Sequence, residues 1–526
     1  MTSRRTLLAA GAAGVAGVVS AAAGGVLAAP APAAAAAPLV SSDQVSHLLR
    51  RATFGPTPET LAEAKRLGVA GWLAKQLDPA TIDDAACDAL LARLPLANAD
   101  IPTVRATLPV HSYDAFGQLG RAAVARAAWS KRQLFEATVA FWANHLHIAA
   151  PSSGVWDSRG DYDRQVIRKH AFGTFADMLK ASATHPAMLT YLDNRTSTKS
   201  RPNENYAREL MELHTVGMIY REDEVQAAAR LLTGLTVTKV GTYTYDPARH
   251  VTGAVKIVGF GHANATAAGG EAAALAFVDH LARHPETARR IATKLCVRFV
   301  ADQPPAALVA RLTKVYLDNG TAIKPVLTAL FTSAEFAAAI GQKTRTPFED
   351  MIATVRALGL GPEKSGIKGL DALYQTMVKA GNAPFRWNPP NGFPDVAAAW
   401  SAPAGFLIRC NMHLNLATGW YPSQLTRPAD MQSLLVPEGS GFAAPTGGLG
   451  AGGSGAPVLP ATYGALVDAL AVRLVGSKLP AAHTAAVLSV AAKLPTSPLT
   501  ATDKSLAGHL PYLVALVLDS PSFQLR

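Results

Sequence analysis

The chain has 526 residues, of which 49% are hydrophobic and 17% charged, and its formal net charge is +11 at pH 7. This composition excludes an intrinsically disordered protein, because disordered chains lack the apolar residues needed to bury a core. The basic residues are scattered among acidic ones without a nucleic-acid-binding signature, so we expect no nucleic-acid partner. Alanine is abundant and apolar residues recur mostly at helical spacing, which predicts a mainly α fold.

The first 37 residues have the layout of a twin-arginine export signal. Arg4 and Arg5 precede a weakly hydrophobic run of Ala, Gly and Val, which ends in a small-residue stretch near 28–37. We therefore expect a secreted or extracytoplasmic protein of the cell envelope, with no stable membrane span after the signal is cleaved. An uncleaved anchor is the alternative, because residues 7–29 are long enough to cross a bilayer.

The rest of the chain divides by composition into three parts. Residues 38–437 predict a single large helical domain, in which β-branched and aromatic residues at about 235–260 indicate a small hairpin or meander. Residues 438–460 are rich in Gly, Ser and Pro and predict a flexible loop. Residues 461–526 predict C-terminal helices that pack on the main domain.

The segment RPNENYARELMELHTVG, residues 201–217, concentrates polar groups on one predicted helix. Its three carboxylates are candidate acid and base groups, because neighbouring carboxylates push each other's pKa values apart. These candidates are Glu204, Glu209 and Glu212. Candidate substrate-binding residues are Asn203, Asn205, Arg208 and His214. The alternative is a solvated helix face, in which Glu204 and Arg208 form an ordinary i,i+4 ion pair.

A second polar cluster follows an apolar helix, in the sequence FWANHLHI. We expect His145 to act as a catalytic residue and Asn144 to contact the substrate, with both facing the carboxylates of 201–217. The alternative is that His145 and His147 are satisfied histidines of the core. Because they are two residues apart, these histidines do not share a helix face, so a paired helical metal site is not indicated.

The segment RWNPPNGFPD, residues 386–395, offers an aromatic and polar loop. Trp387 and Asn388 are candidate substrate-binding residues, because an indole ring can stack on a sugar while polar groups contact its hydroxyls. A rigid, Pro-rich cover is the alternative.

The sequence identifies no cofactor and predicts no metal centre. Helical di-iron proteins use Glu-x-x-His on paired helices, whereas this chain has Glu209-x-x-Glu212 with His214 out of register. A mononuclear site built from Glu and His stays open. Phosphate-binding loops, dinucleotide fingerprints and serine-nucleophile elbows are not found in the sequence.

Several motifs together resemble one known family. In chain order they include SHLLRRATFGPTPE, FWANHLHI, KSRPNENYARELMELHTVG, YDPARH and NAPFRWNPPNGFPDVAAAW. The chain resembles the bacterial family called domain of unknown function 1800, from about Ser46 to Thr418 and again at the terminal SPSFQ. The resemblance implies an exported helical protein and a companion exported protein similar to sulfatases and alkaline phosphatases. It carries no assigned reaction, and its densest motif is 201–217. At Leu146 the chain departs from the aromatic residue that the family usually has.

The sequence favours an acid/base hydrolase or lyase that acts on an extracytoplasmic substrate. The candidate substrates are an envelope component, a carbohydrate and an ester. The alternative is a non-catalytic envelope protein that binds or helps assemble a second exported enzyme. The enzyme hypothesis predicts a concave site with shifted pKa values, and the alternative predicts a filled interior with an exposed apolar patch.

Overall fold

The computed structural model describes residues 38–428, 460–500, 503 and 506–526. The predicted export signal at 1–37 lies outside these residues, as does the predicted loop at 438–460 except for Pro460. Within the described residues the fold consists of 23 α-helices and two small antiparallel sheets, which confirms the predicted mainly α class with a small β insertion.

The helices are numbered in chain order. The first eleven are α1 (Gln44–Ala52), α2 (Pro58–Gln76), α3 (Ala85–Leu91), α4 (Ile101–Thr107), α5 (Asp114–Trp129), α6 (Gln133–His145), α7 (Arg159–Tyr162), α8 (Phe175–Ala183), α9 (Pro186–Tyr191), α10 (Glu204–Glu209) and α11 (Glu222–Leu231). The other twelve are α12 (Gly270–Arg283), α13 (Pro285–Phe299), α14 (Ala306–Asp318), α15 (Ile323–Phe331), α16 (Ala334–Ala338), α17 (Pro347–Ala357), α18 (Lys368–Lys379), α19 (Pro403–Thr418), α20 (Tyr463–Val475), α21 (Ala481–Ser489), α22 (Leu506–Leu518) and α23 (Pro521–Gln524).

Two helices continue into wider π-helical turns. The turn Asp163–Arg168 follows α7, and the turn Leu210–His214 follows α10. The single helix predicted within 201–217 is therefore an α-helix that widens after Glu209. Such π turns are uncommon and are often found at functional sites.

The β insertion consists of two short hairpins. Strands β1 (Leu235–Val237) and β2 (Tyr243–Tyr245) pair antiparallel, and so do β3 (Val255–Ile257) and β4 (Phe260–His262). The hairpins lie between α11 and α12, where the sequence predicted them.

Local sequence sets the starts of α10, which carries the motif of 201–217, and of α17. Asn203 caps α10, because its side-chain oxygen accepts a hydrogen bond from the Tyr206 amide at 2.9 Å. Thr346 and Glu349 form a capping box at the start of α17, with Pro347 in the first helical position. Both helices therefore begin where capping side chains satisfy backbone amides of the first turn.

Helix α6 runs through the hydrophobic core. Its Trp142 is fully buried, donates a hydrogen bond to the Ala171 carbonyl at 3.2 Å and packs against Phe175 at 5.4 Å between ring centroids. A helix buried on most of its circumference carries its C-terminal residues into the interior. The polar end of α6, at Asn144 and His145, is placed there.

The C-terminal helices contact the rest of the chain at α19 and at the residues just before α17. His413 of α19 lies 2.7 Å from Asp519, which follows α22, and the Arg345 amide donates to the Gln524 carbonyl at 2.9 Å. The described residues from Leu39 to Arg526 form one compact unit. Over the same residues, the structure contains no helix with both the length and the apolar character that a membrane span requires.

Candidate functional site

A cavity of about 450 Å³ lies beside the C-terminal half of α6. Its walls come from α5, α6, the π-helical turn Asp163–Arg168, α13, the start of α17 and the segment 382–395. This volume falls within the range of about 300–1,000 Å³ typical of ligand sites. The aromatic side chains in its lining are Phe54, Phe141, Phe348, Phe385, Trp387 and Phe393.

His145 lines the cavity in a defined tautomer. Its Nε2 lies 3.1 Å from the His214 carbonyl, which can only accept a hydrogen bond, so Nε2 carries the proton. In a neutral imidazole the other nitrogen is then an acceptor, and Lys294 Nζ lies 3.0 Å from Nδ1. Burial, together with the Lys294 charge, lowers the pKa of His145 well below its usual range, so the ring is neutral.

Lys294 also lines the cavity. Among the described residues it forms no ion pair with a carboxylate, and its hydrogen-bond partner is His145. Burial, followed by the nearby Arg290 charge, lowers the pKa of Lys294 to about 8. Because this value is close to neutral pH, the amine can exchange a proton with a bound substrate.

Asn144 holds the 386–395 loop against α6. Its Nδ2 donates to the Phe393 carbonyl at 2.8 Å, and its Oδ1 accepts from the Phe393 amide at 2.7 Å. The neighbouring Gly392 has φ of +73°, and a Cβ there would collide with the Asn144 carbonyl oxygen. Asn144 therefore positions the loop through both ends of its amide.

The same loop is fixed by His147. Its Nε2 donates to the Trp387 carbonyl at 2.7 Å, while the Trp387 indole donates to Asn391 Oδ1 at 3.0 Å. Trp387 lines the cavity, as the sequence hypothesis requires of a stacking residue. Asn388 is exposed and does not line it, and its carbonyl lies 3.4 Å from the Tyr191 hydroxyl.

The candidate residues of 201–217 do not line this cavity. Glu204 and Asn205 are exposed at the start of α10, and Asn203 is engaged as the helix cap. Arg208 is bidentate to Glu222, at 2.6 and 3.1 Å. The i,i+4 pair considered for Glu204 and Arg208 is wrong, because α11 begins next to Arg208 and offers a better-placed carboxylate.

Glu209 and Glu212 are half-buried side by side. Glu212 accepts a hydrogen bond from the Tyr220 hydroxyl at 2.6 Å. Burial and the Glu212 charge raise the pKa of Glu209. His214 is buried at the end of the π turn, and its carbonyl, bonded to His145, is the contact between the motif and the cavity. The catalytic role of these carboxylates stays a prediction.

Sequence reasoning missed Lys294. In the sequence ARRIATKLCVRF it occupies one position of an amphipathic helix, where a lysine normally indicates a solvated face. The signal that distinguishes it is its contact with His145, which is 149 positions away in the chain. A single sequence does not reveal such a contact.

Metal binding has no support from side-chain grouping. In the ranges that the structure describes, no three His, Cys, Asp or Glu side chains are arranged so that they could hold a metal ion. The polar groups of the cavity are instead mixed donors and acceptors, which suit proton transfer and hydrogen bonding.

Comparison with known proteins identifies a family and nothing narrower. Neither a curated protein nor a solved structure matches the chain. A family model described as "Protein of unknown function (DUF1800)" matches residues 47–525, nearly the whole chain. On this match, the chain belongs to the DUF1800 family.

Proposed function

We propose that this chain is an acid/base enzyme, a hydrolase or lyase, whose reaction takes place in the cavity at Lys294 and His145. The observation that supports it is the Lys294–His145 contact at the cavity wall, in which the lysine has no carboxylate partner among the described residues. A lysine in an ordinary ion pair would be held in its charged form, whereas this one can give up its proton near neutral pH.

The geometry gives each group a role in proton transfer. The neutral Lys294 amine accepts a proton from the substrate or from an attacking water, and the resulting ammonium donates to Nδ1 of His145. The His214 carbonyl keeps His145 in the tautomer that accepts this hydrogen bond. The ammonium then returns the proton to the leaving group, so Lys294 acts first as base and then as acid.

The remaining walls suit a substrate with an apolar face. Trp387 and Phe393 lie 5.2 Å apart between ring centroids and both line the cavity. Aromatic side chains stack on sugar rings and exclude water from the reacting bond. The substrate is accordingly proposed to be an extracytoplasmic carbohydrate or ester.

An activity screen with a matched control tests the proposal. Purified protein is incubated with cellulose, xylan, chitin, peptidoglycan, polygalacturonate and p-nitrophenyl acetate, and products are followed as new reducing ends, unsaturated sugars or nitrophenol. Lys294→Met should lower turnover by about 10²–10⁴-fold, the usual contribution of a positioned acid or base. Lys324→Met, at an exposed position of α15, should leave it unchanged. Equal turnover in both variants, or no turnover of any probe by the folded wild type, would reject the enzyme.

Export is the second part of the proposal. The basis is the sequence of residues 1–37, with Arg4 and Arg5 before an apolar run. Replacing both arginines with lysine should leave the protein in the cytoplasm, measured by cell fractionation. Unchanged export of the double variant would reject the twin-arginine route.

An envelope binding or assembly protein is the second candidate function. It is favoured by an exposed apolar group on and after α19, where Leu407 is 63% and Trp420 62% exposed. Replacing both with serine should abolish association with a co-expressed companion exported sulfatase- or phosphatase-like protein. Association retained by this double variant would argue against that surface, and association lost together with Lys294-dependent turnover would point to general unfolding.

A further inference from the structure

Arg126 and Arg168 both line the cavity but differ in their partners. Arg168 is bidentate to Glu136, at 2.6 and 2.9 Å. Arg126 is only 5% exposed, and its guanidinium makes no hydrogen bond and no close ion pair with any residue that the structure describes, although the charges of Glu136 and Asp163 act on it from a longer distance. A second cavity of about 470 Å³ shares Arg126, Glu136 and Arg168 in its lining. The unpartnered guanidinium therefore lines two cavities.

Asp163 is a second buried group of this kind. It begins the π-helical turn, is 2% exposed and lines the cavity, and its Oδ1 is buried without a hydrogen-bond partner among the described residues. Next to it, Arg159 is fully buried with Nη1 and Nη2 unpartnered, and its guanidinium lies 4.4 Å from the Phe385 ring centroid. Buried polar atoms without hydrogen-bond partners are unfavourable for folding, so each one requires an explanation.

The charges around the cavity are balanced. Four cationic side chains line it, namely Arg126, Arg168, Lys294 and Arg298, and four anionic ones, namely Glu136, Asp163, Glu349 and Asp395, so the formal sum is zero. The two histidines in the lining add no charge, because burial lowers the pKa of both His145 and His147. A wall of this kind does not concentrate a polyanion. It offers alternating donors and acceptors beside aromatic rings.

We infer that the part of this cavity lined by Arg126 and Asp163 is a subsite for a neutral, hydroxyl-rich group such as a sugar ring. Arg126 donates hydrogen bonds to its hydroxyl oxygens, and Asp163 accepts hydrogen bonds from its hydroxyl groups, since each hydroxyl can do both. Phe385 and Phe141 flank the ring. The inference rests on the proposed function in naming the substrate of the same site, but binding at this subsite needs no turnover.

The first test compares two arginine variants by thermal unfolding, without any ligand. Arg168→Met should lower the melting temperature clearly, because it leaves Glu136 buried without its partner. Arg126→Met should leave the melting temperature unchanged or raise it, because it removes a buried charge that makes no hydrogen bond or close ion pair and leaves the Arg168–Glu136 pair in place. A decrease for Arg126→Met as large as that for Arg168→Met would assign Arg126 to the structure of the fold and overturn the inference.

The second test measures binding by saturation-transfer NMR. The probes are the neutral trisaccharides cellotriose, mannotriose and triacetylchitotriose, with trigalacturonate and inorganic phosphate as anionic probes. At least one neutral probe should bind, with affinity about tenfold lower in Arg126→Met and Asp163→Asn, equivalent to the loss of one hydrogen-bonded partner. Binding of the anionic probes alone, binding unchanged in both variants, or no binding by any neutral probe would overturn the inference.

Lys294→Met separates this inference from the proposed function. The neutral probe should still bind to Lys294→Met, whereas turnover should be lost in this variant. If the wild type binds the neutral probe but turns over no substrate, the subsite is supported and the enzyme is rejected. Turnover that depends on Lys294 but not on Arg126 or Asp163 supports the enzyme and rejects the subsite.

Discussion

Nε2 of His413 lies 3.0 Å from the Asp350 carboxylate, and both side chains are fully buried. Nδ1 of the same ring lies 2.7 Å from Asp519, so both nitrogens donate and the imidazole is charged. Burial alone would lower the pKa of His413, but the carboxylates of Asp350 and Asp519 raise it to about 9. This contact joins α17 and α19 to the residue that follows α22.

The first prediction concerns stability as a function of pH. The folded pKa of His413 is raised from 6.5 to about 9, so its contribution is fully present below pH 6.5 and is lost as pH rises towards 9. The folded pKa of Asp350 is lowered from 3.8, so its contribution is present above that value and is lost at more acidic pH. Near pH 6 the free energy of unfolding of the wild type, measured in urea, should exceed that of His413→Gln by an amount on the order of 3 kcal/mol.

The variant His413→Gln serves as the control, because it retains every other titrating group of the wild type. The wild-type advantage should shrink between pH 6.5 and about 9. Cys410, which contacts Asp519, does not titrate in this window, because burial and the Asp519 charge raise the pKa of its thiol to about 12. An advantage that is constant across the window would show that His413 is not charged in the folded protein.

The second prediction concerns the reactivity of Lys294. Burial and the Arg290 charge lower the pKa of Lys294 to about 8, so its amine should be acetylated by N-acetoxysuccinimide with a midpoint near pH 8, measured by peptide mass spectrometry. Lys478 is the comparison, because its contact with Asp468 raises its pKa. Labelling of Lys478 should still increase at a pH where Lys294 labelling has levelled. Parallel profiles for the two lysines would contradict the lowered pKa.

The third prediction concerns the loop that Asn144 holds. Asn144→Ala leaves the amide and carbonyl of Phe393 without their partner, which should cost about 1–3 kcal/mol of unfolding free energy. Hydrogen exchange should increase in the peptide 386–395. Asn391→Ala removes a single contact, to the Trp387 indole, and should increase exchange less. Equal exchange in wild type and Asn144→Ala would show that the His147–Trp387 hydrogen bond and the proline residues fix the loop without Asn144.

The sequence was sufficient for the fold class because the decisive signals are local. Helical periodicity, caps such as Asn203 and the β-branched run that begins in β1 each involve neighbours in the chain. His145 and Trp387 were recognised for the same reason, as polar or aromatic residues in an unexpected local setting. Both line the cavity.

The partners of the charged side chains in the cavity are not predictable in this way. Arg126 and Arg168 look alike in the sequence, and the difference between them is that Arg168 finds Glu136 across a helix–helix contact. Conversely, 201–217 attracts attention because its charges are adjacent in sequence, although tertiary packing decides which face reaches a cavity. The pairing of Arg208 with Glu222, 14 positions away, shows how a neighbouring helix overrides the local i,i+4 pattern.

The last prediction decides whether the carboxylates of 201–217 take part in a reaction. Glu209 is half-buried beside Glu212, and burial and that neighbouring charge raise its pKa above the ordinary 4.5. A carboxyl group with a raised folded pKa destabilises the fold once it ionises, so Glu209→Gln should increase the unfolding free energy at neutral pH, by up to about 1 kcal/mol. Glu204→Gln, at an exposed position, should change it by less than about 0.5 kcal/mol.

The same pair of variants is then assayed for the turnover that depends on Lys294. Because Glu209 does not line the cavity, Glu209→Gln should gain stability without losing turnover. A gain in stability accompanied by a loss of turnover is the pattern of a functional group kept at the expense of the fold. That outcome would restore Glu209 as the acid or base and would require the His214 carbonyl, which joins the motif to His145, to transmit its effect to the cavity.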